Sequence, residues 1–295
     1  MPLVATLVAS PHTAAVTDSL IAAAARAVKA EATTVLAPAI AVDLLLPSGA
    51  DAATSRQSLR DVIGDAPVDV VVQNAATRCK ALFLADMDST MIGQECIDEL
   101  AAEVGLKDHI SAITERAMRG EIEFEPALRE RVALLKGLPS EVVTRVIESR
   151  IRLTPGGPEL VRTMRAYGAY TALVSGGFTV FTGPVAALIG FHEDRANLLV
   201  EEDGRLTGEV AEPILGREAK LQTLVELRDH LCLADTATMA VGDGANDLAM
   251  IGAAGLGVAY HAKPKVAAAA HARIDHADLT ALLYIQGYSR AEFVE

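Results

Sequence analysis

The stretch Leu82-Phe83-Leu84-Ala85-Asp86-Met87-Asp88-Ser89-Thr90 joins a short apolar run to two aspartates spaced by one residue. Its counterpart lies far downstream, Met239-Ala240-Val241-Gly242-Asp243-Gly244-Ala245-Asn246-Asp247. Each apolar run reads as a strand, and each acidic cluster as the loop that follows it. In an open parallel sheet, ligands bind beyond the carboxyl ends of the strands, so the two clusters are expected to meet there. Crowded carboxylates repel unless a cation neutralises them, and hard oxygen ligands favour magnesium. Asp86, Asp88, Asp243 and Asp247 are therefore the candidate Mg2+ residues, Asp86 and Asp243 at the ion and Asp247 behind them. Either cluster alone reads as ordinary loop punctuation, because Asp and Gly are common in turns and helix caps. Together, and in order with Val174-Ser175-Gly176-Gly177 and Lys220, they point to metal-assisted phosphoryl transfer.

Outward from these loops, strand and helix patterns alternate. A strand is expected over 80–85, helix 159–167, strand 170–174, helix 178–189, helix 219–230, strand 238–241, helix 247–253 and strand 257–259. Between the fourth and fifth of these, 197–200 and 206–210 read as strands joined at Asp203-Gly204, a good hairpin turn. Such alternation predicts an α/β fold, a parallel sheet with helices on both faces. Residues from about 97 to 152 show helical patterns only and read as a helical cap inserted after the first catalytic strand, a candidate lid. Residues 1–75 form a separate small α/β unit: strand 3–8, helix 14–30, one long or two short strands over 33–46, helix 52–63 and strand 68–73. The remaining residues, 76–295, make up the catalytic domain.

The 295-residue chain is 51% hydrophobic and only 4% aromatic, a composition suited to helices packed on a sheet. A net charge of −13 argues against nucleic acid or an anionic membrane as partner. No 18-residue apolar run or signal sequence is evident, and three scattered cysteines read as reduced thiols. The expected setting is the cytosol.

Phosphate monoesters hydrolyse very slowly unaided, so a catalyst must neutralise charge, place a nucleophile and protonate the leaving oxygen. Asp86, at the strand end, is the candidate nucleophile and would form an aspartyl phosphate. Asp88, two residues on, is suited to protonate the leaving alkoxide and then activate water. The Ser175 hydroxyl and the backbone N–H groups at Gly176 and Gly177 suit phosphate oxygens. Lys220 supplies positive charge, although taken alone it reads as a solvated lysine at a helix end.

These residues resemble the haloacid dehalogenase-like (HAD) superfamily from about Lys80 to the C-terminus, which implies a Rossmann-like core. Narrower matches resemble its phosphoserine phosphatases: Asp86-Met87-Asp88-Ser89-Thr90, Glu95, Ile97-Asp98-Glu99, Ala117-Met118, Phe124, Leu128-Arg129-Glu130-Arg131-Val132, Val174-Ser175-Gly176-Gly177-Phe178 and Val241-Gly242-Asp243-Gly244-Ala245-Asn246-Asp247. The resemblance implies hydrolysis of O-phospho-L-serine to L-serine, the last step of serine biosynthesis. It implies that Glu95 and Arg131 take the substrate ammonium and carboxylate, that Met118 and Phe124 close over it, and that Asn246 reaches the substrate or its phosphate. By themselves Glu95 reads as a helix-start acid, Arg131 as a surface charge, and Met118 and Phe124 as core. The N-terminal unit resembles an ACT-type domain in element order only; Ser10-Pro11-His12-Thr13 lacks the glycine usual at that family's ligand loop, so dimerisation or a structural role is expected before ligand binding. Two rival functions stand beside hydrolysis: phosphoryl transfer to another alcohol such as homoserine, and a non-catalytic amino-acid sensor.

Overall fold

The computed structural model describes residues 2–119 and 121–294, and of Met118 the backbone only. Six parallel strands form the main sheet: β5 (Leu82–Ala85), β6 (Tyr170–Phe178), β7 (Glu193–Asn197), β10 (Thr238–Gly242), β11 (Leu256–Tyr260) and β12 (Ala272–Ile274), in the order β12-β11-β10-β5-β6-β7. From β5 the chain builds outward to β6 and β7, then returns to the other side for β10, β11 and β12. The reversal falls between β5 and β10, and a crevice is expected at the carboxyl ends of those two strands.

β5 is wholly apolar because both of its faces are covered. Leu82 and Leu84 pack with Leu224 and Leu227 of α9 (Arg217–His230) and Met250 of α10 (Leu248–Ala253). Phe83 and Ala85 face a larger core with Leu160 and Met164 of α7 (Gly157–Ala166) and Phe181 and Val185 of α8 (Thr179–Ile189). Among the described residues, the regular elements between β5 and α7 are helices, α3 (Cys96–Glu103), α4 (Lys107–Met118), α5 (Phe124–Ala133) and α6 (Glu141–Arg150), as the sequence predicts for 97–152. A two-stranded ribbon, β8 (Leu199–Glu202) with β9 (Arg205–Val210), turns at Asp203 and Gly204, both at positive φ as a tight hairpin requires. Leu206 N–H donates to Leu138 O, and Gly137 N–H returns a bond to Leu206 O, which ties the ribbon to the end of the helical block.

The first strands form a second sheet: β1 (Leu3–Ala9), β2 (Ala32–Ala37), β3 (Ala41–Leu45) and β4 (Val68–Asn74), antiparallel in the order β2-β3-β1-β4. With α1 (Asp18–Val28) and α2 (Ala52–Ile63) this is a split βαβ arrangement. One face packs on those helices, Leu7, Val42 and Leu44 clustering with Ala24 of α1 and Leu59 of α2. The other face carries Val8, Leu36, Ala41 and Val71 into the same apolar cluster as the main sheet. Asp69 seals that junction, its carboxylate accepting from the backbone N–H groups of Asp275, His276 and Ala277.

Two expectations need correction. The first helix starts at Asp18, not Ala14, because Thr17 caps it by accepting from Leu20 N–H. The strand expected to begin at Asn197 is two elements, β7 ending at Asn197 and β8 starting at Leu199. β7 itself is Glu-Asp-Arg-Ala-Asn, an edge strand with no apolar rhythm, held by Tyr170–Glu193 and Thr182–Asp194 hydrogen bonds. The segment 33–46 resolves into two strands.

Candidate active site

Asp86 follows the last residue of β5, and its N–H donates to Val241 O of β10, so the sheet itself fixes its backbone. Its side chain is buried. Oδ1 accepts from Met87 N–H at 2.8 Å and pairs with Lys220 Nζ at 2.6 Å. Among the described residues nothing donates to Oδ2, which leaves one carboxylate oxygen uncommitted.

Lys220 is 1% exposed, so it is no solvated helix-end lysine. From the first turn of α9 it bridges Asp86 and Asp247, 2.7 Å from Asp247 Oδ1. Burial works against its charge, but Asp247 and Asp86 outweigh that and raise its pKa. The other oxygen of Asp247 accepts from Gly244 N–H at 3.0 Å. Gly242 makes this fold-back feasible, since a Cβ there would lie 2.3 Å from the Asp247 carboxylate.

Asp86, Asp243 and Asp247 present oxygens that all lie within 4.8 Å of one another. Burial and the neighbouring Asp247 charge push Asp86 well above the usual carboxylate range, and the same two causes raise Asp243 to about 6. Three crowded, buried carboxylates remain electrostatically costly even with Lys220 between Asp86 and Asp247 and the Lys263 charge near Asp243, and a hard divalent cation offsets that cost. The site fits magnesium by donor type and by charge. Asp88 departs from the expected metal set: its carboxylate is outside this cluster. The turn Met87–Met91, with Ser89 at φ 55°, curls the chain so that Asp88 Oδ1 accepts from Cys96 N–H at the start of α3. Burial raises Asp88 to about 6, close to where a proton donor and acceptor is useful at neutral pH.

Ser175, Gly176 and Gly177 close the other wall. A Cβ at Gly177 would crowd Asp88 Oδ2 at 3.2 Å, and one at Gly176 would meet the Phe124 ring at 3.1 Å. The Ser175 hydroxyl accepts from Gly177 N–H at 2.9 Å. A cleft of about 810 Å³ opens here, lined by Asp86, Asp88, Glu95, Phe124, Arg131, Ser175, Gly176 and Asn246 among others. Asn246 Oδ1 is buried without a hydrogen-bond partner among the described residues, a polar atom in want of a ligand. Lys220 lies behind Asp86, and the Met118 side chain lies outside the described residues.

At the cap end of the cleft stand Glu95 and Arg131. Glu95 immediately precedes α3 without capping it, and accepts instead from Ser89 Oγ at 2.8 Å. Burial, then the Asp88 charge, raises it to about 8. Arg131 is 6% exposed, buried on α5 and not a surface charge. Burial lowers its pKa from the usual guanidinium value, with Asp98, Glu95 and Asp88 opposing. A carboxyl group and a guanidinium thus share one wall of the cleft. Ser89 and Asp98, both within quoted motifs, were assigned no task from sequence, and Thr114 gave no signal at all; each supports this wall.

A family model described as haloacid dehalogenase-like hydrolase matches residues 83–252. The chain is 40% identical over 257 residues to the phosphoserine phosphatase of Streptomyces coelicolor, covering 86% of this chain and 62% of that protein. It thus spans less than two thirds of that relative. A solved structure titled as a phospho-aspartyl intermediate analogue of phosphoserine phosphatase matches with TM-score 0.66 at 39% identity, covering 70% of this chain and 98% of that one. A HAD family hydrolase from Salmonella enterica serovar Typhi matches both sheets, with TM-score 0.85 at 29% identity over 97% of this chain and 98% of that one. Site geometry, family model and relatives agree, and the chain belongs to the haloacid dehalogenase-like hydrolases.

Proposed function

We propose that this protein hydrolyses O-phospho-L-serine to L-serine and phosphate through an aspartyl phosphate on Asp86. The observation that carries the reading is a half-buried Glu95 and a buried Arg131 sharing one cleft with Asp86 and Asp88. Relatives and solved structures named as phosphoserine phosphatases support the same substrate.

The uncommitted Asp86 Oδ2 attacks phosphorus, while Met87 N–H and Lys220 hold Oδ1. As the ester P–O bond breaks, Asp88 gives its proton to the leaving serine oxygen. Asp88 then takes a proton from water, which attacks the acyl phosphate and frees Asp86. Ser175 and the Gly176 N–H hold phosphate oxygens, and Asn246 reaches toward the same group. Asp86 and Asp243, supported by Asp247, would hold magnesium, which supplies positive charge against the transferring phosphoryl group. Glu95 takes the ammonium, which offsets the cost of its own ionisation. Arg131 takes the carboxylate by a charge-assisted fork. Phe124, at the start of α5, lies against Gly176 and covers the site.

Residues 1–75 are proposed as an ACT-like domain with a structural role, its open sheet face being committed to the catalytic core. Among the described residues no helix is long and apolar enough to cross a membrane, and a cytosolic setting is part of this proposal. A homodimer is compatible with it.

The substrate assignment is tested at Arg131. Arg131→Leu should lower kcat/KM for phosphoserine by about 2–4 kcal/mol, because the substrate carboxylate would lie desolvated and unpaired. Phosphoethanolamine, which lacks that carboxylate, should change far less. Equal losses on both would assign Arg131 to the phosphate or to the cap and remove the case for serine.

A further inference from the structure

Arg131 reaches the cleft with only part of its fork engaged. Nε donates to Ala127 O of its own helix at 3.0 Å, and Nη1 donates to Thr114 Oγ1 at 2.9 Å. Among the described residues Nη2 makes no hydrogen bond to protein, and no acidic side chain pairs directly with the guanidinium. A buried cation without a neighbouring charge would be costly, yet the compensation here is indirect. Thr114 is buried on α4, and its hydroxyl lies 3.2 Å from Asp98 Oδ1 on α3 and 3.1 Å from Ile110 O. Ser111 Oγ donates to Asp98 Oδ2 at 2.6 Å, fixing the carboxylate from the other side. Three cap helices thus meet in the series Ser111, Asp98, Thr114, Arg131.

The order of these groups matters. A carboxylate placed directly on Arg131 would take both arms of the fork, and an incoming carboxylate would have to displace it. A hydroxyl has one proton to give and lone pairs to accept. When Thr114 donates to Asp98 it can still accept from Nη1. Negative charge then supports the guanidinium from one bond away, and Nη2 stays open to the cleft.

We propose that Thr114, oriented by Asp98, is a positioning and specificity-determining residue that aims Arg131 and keeps half of its fork open for the substrate carboxylate. The proposal rests on the reading of Arg131 as the carboxylate site.

The test uses the full-length, magnesium-supplied enzyme with Thr114→Val, which keeps the shape and removes the hydroxyl, and Thr114→Ser, which restores it. For Thr114→Val, KM for phosphoserine should rise roughly tenfold with kcat changed by less than about twofold. Activity on phosphoethanolamine should hold, and Thr114→Ser should recover most of the KM. A fall in kcat, equal effects on both substrates, or no rescue by serine would make Thr114 a packing residue of the cap and overturn the proposal. If Thr114→Val does not fold, Asp98→Asn must give the same KM split, and its absence overturns the proposal equally. Arg131→Leu is measured alongside. Equal losses there sink the carboxylate reading itself, whereas a selective loss there with none in Thr114→Val sinks only the role of Thr114.

Discussion

Replacing Asp86 with Asn is expected to lower phosphoserine turnover by about four orders of magnitude or more, with the protein still folded. The amide matches the carboxylate in shape but forms no acyl phosphate. Its carbonyl oxygen can still accept from Met87 N–H, so the local turn survives. Lys220 keeps Asp247 as partner. Loss of one anion from a site crowded by Asp243 and Asp247 should leave thermal stability equal or higher. The check is kcat on pure variant beside a melting curve. Turnover within a hundredfold of the parent, with deamidation excluded by mass, would remove Asp86 as nucleophile.

Stripping divalent cations should bring hydrolysis to background, and adding Mg2+ should restore it. A second readout is independent of catalysis. Because Asp86, Asp243 and Asp247 repel one another, Mg2+ binding to the native state alone should raise Tm, with about 2.7 kcal/mol of stabilisation at a hundredfold excess over Kd. Asp243→Asn should blunt that rise. Full turnover in protein verified as metal-free, or a Tm indifferent to Mg2+, would take the cation out of the account.

The parts of this fold legible in the sequence are those where one physical demand fixes residue type. β5 and β10 are covered on both faces, so they read as unbroken apolar runs, and the acidic loops mark their carboxyl ends. The Asp203-Gly204 turn needs positive φ twice, and that leaves a signature. β7 left none, because an edge strand made of Glu, Asp, Arg, Ala and Asn is held by side-chain bonds to its neighbours and not by burial. The short β12 and α12 (Ala281–Gln286) were likewise unread, being too brief for any period to appear.

The site shows the same division. Motif spacing brought Asp86, Ser175, Lys220, Asp243 and Asp247 together, but it could not say which carboxylate points where. Asp88 was grouped with the metal set as one of the crowded carboxylates of these loops. The left-handed Ser89 turns the chain and delivers Asp88 to the start of α3. Whether Lys220 and Arg131 were buried was undecidable from sequence, since both sit on helices whose packing depends on distant segments. Asp98 and Thr114 act through Arg131, and such support depends on how three cap helices meet.

The central claim is a covalent phosphoenzyme at one named carboxylate. Enzyme mixed with phosphoserine, quenched in acid within a turnover and reduced with borohydride, should yield by mass spectrometry a peptide altered at Asp86 alone, absent without substrate. Absence of any trapped species under conditions of full turnover, or label at Ser175 instead, would contradict the account.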